Sequence, residues 1–156
     1  MRIGHGYDAH RFCPDKPLVI GGVTIESDEG LLAHSDGDVL LHALMDALLG
    51  AAGERDIGYQ FPPSDNAYKN IDSRILLREV AAILERKNLT VEYADMTIVA
   101  QKPKLSPYIE EIRTSVADVL DVPRERVNVK ATTEEKMGFT GRGEGISAHA
   151  VCLLAE

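Results

Sequence analysis

The chain has 156 residues, of which 44% are hydrophobic, and a formal net charge of −8. That length and hydrophobic share suit one compact domain with a real core and exclude general disorder. The acidic balance argues against a nucleic-acid partner, which calls for a basic face, and no apolar run approaches the roughly 20 residues of a membrane span. A phosphate-bearing small molecule stays open, since a metal, a few basic side chains and helix N-termini can hold one locally. The opening Met1-Arg2-Ile3-Gly4-His5 lacks the apolar region of a signal peptide. Cys13 and Cys152 have neither zinc-knuckle nor redox spacing, so a cytoplasmic, reducing location is expected.

The first dozen residues read as a strand running into a loop, with the run His-Gly-Tyr-Asp-Ala-His from His5 to His10. Asp8 and His10 are two apart, so in extended backbone they point to the same side. Such a pair is half of a zinc site, because zinc accepts both imidazole and carboxylate and is usually four-coordinate. Ordinary surface residues are the alternative. Next, Leu18-Val19-Ile20, Gly21-Gly22 and Val23-Thr24-Ile25 predict a β-hairpin with a glycine turn. A polar loop leads to His34-Ser35, with Ser35 or Asp36 as a natural N-cap for the first helix. Free amides there, with the His34 side chain, could receive an anion; a plain loop histidine is the other reading.

Leu, Ala and Met fill nearly every position of residues 39–52, as expected of a helix buried on several sides. Asp38, His42 and Asp46 interrupt this pattern every four residues, each about 40° round the helix from the last. Buried polar groups without partners are costly, so the stripe either faces water or meets a ligand such as a metal. If His42 joins Asp8 and His10, the protein supplies three ligands and leaves a fourth position open, the pattern of a catalytic zinc.

Residues 50–72 form the longest irregular stretch, with Asp56-Ile57-Gly58 and Phe61-Pro62-Pro63-Ser64-Asp65 inside it. Loops this long in small domains are usually functional or mobile. Asp72-Ser73 caps a second helix reaching about Lys87, with Ile75, Leu76, Val80, Ile83 and Leu84 as its apolar face. Residues 91–101 are rich in β-branched side chains and predict a buried strand. Ser106-Pro107 then starts a third helix, Ser as N-cap and Pro at the first position, ended by Val122-Pro123. The turn before it, Ala100-Gln101-Lys102-Pro103-Lys104-Leu105-Ser106, is either a phosphate or nucleotide site or a solvated turn.

Residues 126–132 alternate as a half-buried strand. A stretch with Gly138, Gly141, Gly143 and Gly145 follows, and such glycines let backbone approach a ligand or another chain. Thr132, Thr133, Glu135 and Arg142 nearby offer hydroxyls, a possible Mg²⁺ ligand and a cation. Residues 146–155 are apolar on both faces, as in a central strand or a subunit contact. The order predicts a mixed α/β (α+β) domain over residues 1–156, one mixed sheet with three main helices on one face. The opposite sheet face then needs a cover, which a homo-oligomer would supply.

The segments Met1 to His10, Leu31 to Asp38, Asp56 to Gly58, Val129 to Thr133 and Gly138 to Gly145 carry a further signal. In this order, and with no long insertion between them, they resemble the 2-C-methyl-D-erythritol 2,4-cyclodiphosphate synthase family of the non-mevalonate isoprenoid pathway. The resemblance implies conversion of 4-diphosphocytidyl-2-C-methyl-D-erythritol 2-phosphate into the cyclic diphosphate and CMP, the substrate's own 2-phosphate attacking its β-phosphorus. It implies zinc on Asp8, His10 and His42, with Asp8 and His10 also bordering the substrate. His34 and Thr133 would stabilise the transition state, and His34 with Ser35 would hold phosphate. Asp56, Ile57, Gly58, Phe61, Pro62, Pro63, Ser64 and Asp65 would hold the methylerythritol part. Ala100 to Ser106, Thr132, Thr133 and Glu134 would hold the cytidine diphosphate, and Glu135 a Mg²⁺ or Mn²⁺ bridging its phosphates.

The same resemblance implies a homotrimer with sheets facing the three-fold axis and active sites between subunits. Phe139 and Arg142 match residues lining an axial cavity that can bind an isoprenoid diphosphate. Two positions depart from the pattern: Pro63 stands where an acidic residue is common, and Tyr7 where Phe is frequent. Asp38 and Asp46 are expected to orient His42 or to shape the pocket, because a metal-bound His usually donates its other N–H to an acceptor. A zinc hydrolase acting through bound water and a non-catalytic metal or nucleotide binder are the competing readings.

Overall fold

The computed structural model describes residues 1–156. Five strands form one mixed sheet, in the spatial order β4 (Gly30–Leu31), β1 (Arg2–Cys13), β7 (Gly145–Ala155), β5 (Thr90–Val99) and β6 (Val127–Thr132). Neighbours are antiparallel except β5 and β6, which run parallel. A parallel pair needs a crossover, and here helix α4 (Ile109–Leu120) provides it. Strands β2 (Leu18–Ile20) and β3 (Val23–Ile25) form the expected hairpin, separate from the main sheet. Gly21 and Gly22 turn it with φ of 61° and 76°, values that a two-residue hairpin turn asks of both central residues. The two-faced apolar strand β7 sits in the middle of the sheet, as its composition predicted.

The remaining helices are α1 (Val39–Ala52), α2 (Ile57–Gln60), α3 (Ser73–Arg86) and α5 (Gly138–Gly141). Helix α1 packs across β1 and β7, α4 packs on β6, and α3 lies against both α1 and α4. All three long helices therefore cover one face. Glycine sets how closely α1 approaches: a Cβ at Gly4 would overlap the Ala47 carbonyl oxygen, and one at Gly6 the Ala43 carbonyl oxygen. Gly4, Gly6, Asp8 and His10 alternate along one face of β1. The small residues let the helix settle onto the strand, and the next two positions carry their side chains to the same helix.

The opposite face of the sheet is open. Its rows read Ile3, Leu153 and Tyr93; then His5, Val151 and Asp95; then Tyr7, His149 and Thr97. Ile3 is 74% exposed there, and Tyr7, Tyr93 and Val151 are exposed as well. His5 Nε2 lies 3.2 Å from His149 Nδ1 on this face.

Two helix starts differ from the sequence reading. The N-cap of α1 is Asp38, whose carboxylate accepts the Leu41 N–H at 3.0 Å. Neither Ser35 nor Asp36 caps it, because their side chains are engaged with His42 and Ser73. Likewise Ser106 makes no capping bond: Ser106–Tyr108 is a 3₁₀ turn, and α4 begins only at Ile109. The irregular stretch 50–72 contains α2 and a 3₁₀ turn over Asn66–Tyr68, capped by Asp56 and Asp65.

Candidate metal centre and active site

Strand β1 and helix α1 bring three donor atoms to one point. Asp8 Oδ2 lies 2.8 Å from His10 Nε2 and 3.0 Å from His42 Nδ1, and the two nitrogens are 3.0 Å apart. His42 is buried and the other two are half-buried. Two imidazole nitrogens and a carboxylate oxygen crowded this closely need a cation or proton among them. The donor set is the one zinc takes in open, catalytic sites.

Electrostatics favours the charged state of the cluster. Burial alone would raise the Asp8 carboxyl, but hydrogen bonds and positive charge from His10 and His42 outweigh it and hold Asp8 well below the usual carboxylate range. Burial pulls His42 down, yet the Asp8 hydrogen bond and charge, with Asp38 and Asp36 beyond, leave it raised. Asp8 is thus favoured as an anion, and at His42 a proton competes with a metal.

The polar stripe on α1 divides into three tasks. His42 reaches the cluster. Asp38 turns away from it: besides Leu41, its carboxylate accepts the Gly21 N–H at 2.9 Å and the Gly22 N–H at 2.7 Å. Full burial pushes its carboxyl up to about 6, helped by the Asp36 charge and opposed by those amides. Asp38 therefore clamps the hairpin to the helix start. Asp46 accepts the Ile57 N–H at 2.8 Å and anchors α2. The nitrogen of His42 that faces away from the cluster meets Ser35 Oγ at 3.0 Å and Ser73 Oγ at 3.2 Å, not a carboxylate. Asp36 and Ser73 are the participants the sequence did not disclose.

A cavity of about 230 Å³ opens beside the cluster, lined by His10, Ala33, His34, Ser35, His42, Ile57, Gly58, Phe61, Pro63, Tyr68 and Leu76. It gathers both predicted substrate stretches. His34 Nε2 lies 3.1 Å from the Asp65 carbonyl; a carbonyl only accepts, so Nε2 carries the proton. His34 is thereby tied to the loop that holds Pro62, Pro63 and Ser64, and its backbone carbonyl receives the Asn70 N–H at 2.7 Å. Asp56 and Asp65 spend carboxylate oxygens on the Tyr59 and Ala67 amides. Phe61 is set edge-on against Tyr68.

The second predicted group forms a separate groove of about 350 Å³, lined by Ala100, Gln101, Pro103, Lys104, Leu105, Ser106, Ala131, Thr132 and Thr133. Gln101, in this lining, accepts the Lys136 N–H at 3.0 Å. Thr133 Oγ1 accepts the Glu135 N–H, and Glu134 pairs with the Thr140 hydroxyl. Glu135 and Lys136 both have positive φ, 52° and 68°, a conformation that costs non-glycine residues energy and clusters at functional sites. Lys102 and Lys104 line a further depression of about 480 Å³, together with Glu26, Asp28 and Glu29. Phe139 lies in α5, and Arg142 pairs with Glu144 at 2.8 Å.

No residue lines both the metal-side cavity and the groove. Asp8, Ala148, Ile98 and Ala131 occupy one row across the sheet, so three strand spacings, about 14 Å, separate the two within one chain.

Fold and site together define a mixed α/β protein with a candidate metal site beside a cavity, and comparison with known proteins narrows the class. The sequence profile of the YgbB family matches residues 1–155. A 2-C-methyl-D-erythritol 2,4-cyclodiphosphate synthase from Pseudomonas putida (strain W619) is 61% identical over 154 residues, covering 99% of this chain and 98% of that one. Among solved structures, the bifunctional IspDF from Campylobacter jejuni superposes with a TM-score of 0.95 at 42% identity; the match spans 98% of this chain but only 42% of that longer one. The CDP complex of IspF from Plasmodium falciparum superposes at 0.86 with 36% identity, covering 98% of this chain and 94% of that chain. The chain belongs to the YgbB family, and with it to the 2-C-methyl-D-erythritol 2,4-cyclodiphosphate synthases, which are enzymes.

Proposed function

We propose that the chain converts 4-diphosphocytidyl-2-C-methyl-D-erythritol 2-phosphate into 2-C-methyl-D-erythritol 2,4-cyclodiphosphate and CMP. An oxygen of the 2-phosphate forms a bond to the β-phosphorus, the bond from that phosphorus to CMP breaks, and no water enters. The observation that carries the reading is the convergence of Asp8, His10 and His42 beside a cavity, in a chain whose full-length relatives are synthases. Both reacting groups belong to one molecule, so positioning and charge neutralisation supply most of the catalysis.

Asp8, His10 and His42 would hold the zinc. When bound, it supplies Lewis-acid neutralisation of phosphate charge. His34, with its Nε2 proton committed to the Asp65 carbonyl, presents its other edge to the cavity, where with Ser35 it meets the 2-phosphate. Ile57, Gly58, Phe61 and Pro63 enclose the methylerythritol carbons and keep water away from the reacting phosphorus. The groove between residues 100–106 and 131–133 takes the cytidine diphosphate; that the Plasmodium falciparum relative forms a CDP complex supports a cytidine nucleotide as ligand. Thr133 offers a hydroxyl at the phosphate end of that groove. Glu135 is the candidate carboxylate for a Mg²⁺ or Mn²⁺ that accompanies the diphosphate.

The separation of cavity and groove within one chain supports an active site built between two subunits. The open sheet face, with Ile3, Tyr7, Tyr93 and Val151 exposed, supports a homotrimer that buries it around a three-fold axis. Phe139 and Arg142 would then face the axis, where an isoprenoid diphosphate could be held.

Complementation tests this arrangement. His42→Ala and Thr133→Ala chains should each release little CMP alone. Mixed trimers formed by co-expression should recover about a quarter of the wild-type activity, because one interface in four on average pairs two intact halves. A mixture as inactive as its parents would place both halves in one chain and overturn the intersubunit site.

A further inference from the structure

The neutral ring of His42 can carry its proton on either nitrogen, yet only a bare Nδ1 can donate to a metal at the point shared with Asp8 and His10. Asp8 Oδ2, 3.0 Å from Nδ1, would draw the proton there, and the surroundings of Nε2 oppose it. Ser73 Oγ lies 3.2 Å from Nε2 and 2.6 Å from Asp36 Oδ1. An ionised carboxylate only accepts, so the Ser73 hydroxyl proton goes to Asp36, and the remaining lone pairs of Ser73 face Nε2. Ser35 Oγ, 3.0 Å from Nε2, receives the Gly37 N–H and keeps a lone pair that can accept from Nε2 as well. Asp36 is itself fixed: it accepts the Ser73 N–H at 2.9 Å and the Asp38 N–H at 3.0 Å. Ser73 has no exposed surface, so water does not replace these bonds.

We propose that Asp36 and Ser73 are positioning residues that hold His42 as the Nε2–H tautomer and so keep Nδ1 free to bind metal. The start of α3 thereby reaches the metal centre through one hydroxyl, although neither residue supplies a donor atom to the cluster. The proposal rests on the reading of Asp8, His10 and His42 as a metal site, and it makes the tautomer, rather than the ligand list alone, a condition of affinity.

The test is long-range ¹H–¹⁵N NMR on full-length, metal-free protein labelled at histidine, at an alkaline pH where His42 is neutral, with Zn²⁺ affinity measured by chelator competition. Wild type should show His42 as the Nε2–H tautomer. Ser73→Ala should populate the Nδ1–H form and weaken Zn²⁺ binding about 10- to 100-fold, while Ser73→Thr, which keeps the hydroxyl, should restore both. A wild-type His42 protonated on Nδ1 overturns the proposal, and that reading needs no variant to fold. An unchanged tautomer and affinity in folded Ser73→Ala overturns it too. Wild type with the Nε2–H tautomer but no Zn²⁺ affinity would instead defeat the metal reading and leave the positioning of His42 standing.

Discussion

Gly6 packs so tightly against the carbonyl oxygen of Ala43 that no side chain fits between strand β1 and helix α1. This backbone contact sets the height at which His42, the residue before Ala43, stands over Asp8, two residues after Gly6. Gly6→Ala should therefore cost about 3 kcal/mol, the upper end for overpacking a tight core. It should also weaken zinc binding, because relief of the clash lifts the helix from the strand. Thermal melting and zinc titration read the two effects. A protein with an unaltered melting temperature would show that α1 is not seated as described.

Asp46 and Ile57 form the second joint of the site. The Asp46 carboxylate, raised by burial and steadied by the Ile57 amide, makes the side-chain hydrogen bond that joins α2 to α1. Asp46→Ala should loosen α2 and the cavity wall at Ile57 and Gly58. The expected result is a raised KM with zinc content unchanged and a stability loss of about 1–2 kcal/mol for the orphaned amide. Loss of zinc in this variant would mean that Asp46 acts on the metal instead.

Asp72 gives a prediction about pH. It caps α3 by accepting the Arg74 N–H and pairs twice with the Arg74 guanidinium. The Arg74 hydrogen bond, first among the causes, holds the Asp72 carboxyl below its ordinary value. A depressed folded-state pKa contributes stability that is present above the unfolded value, about 3.9, and lost as pH falls through the folded one. The pair is partly exposed, so its worth is small. Asp72→Asn should keep the cap and flatten the acid limb of the stability curve, whereas Asp72→Ala should lose about 1 kcal/mol at neutral pH as well. Urea melts at pH 7 and near pH 3 separate these outcomes; equal losses for both variants at pH 7 would assign the effect to charge rather than capping.

Much of this was legible in the chain. Asp8 and His10 sit two apart in a strand, and His42 interrupts an apolar helix, so their chemistry and spacing announced the donor set. The β7 strand declared its central place by being apolar on both faces. What lay beyond reading was which distant groups would meet. Asp38 and Asp46 share a stripe with His42, yet they bond to Gly21, Gly22 and Ile57, backbone amides that carry no side-chain signature. Ser73 looked like one more helix-start serine, because its role depends on Asp36 arriving from a loop 37 residues earlier. The α1 start shifted to Asp38 for the same reason: Ser35 and Asp36, good caps by composition, are engaged elsewhere. The parallel pairing of β5 with β6 depends on the α4 crossover and leaves no mark in either strand's sequence.

In the proposed reaction the substrate's own phosphate, not water, attacks the β-phosphorus. The most direct measurement is mass spectrometry of the product formed by zinc- and Mg²⁺-loaded protein from 4-diphosphocytidyl-2-C-methyl-D-erythritol 2-phosphate in ¹⁸O-water. A cyclic diphosphate and CMP, both free of ¹⁸O, is the predicted result. An open-chain phosphate carrying ¹⁸O would contradict it and make Asp8, His10 and His42 the centre of a hydrolase.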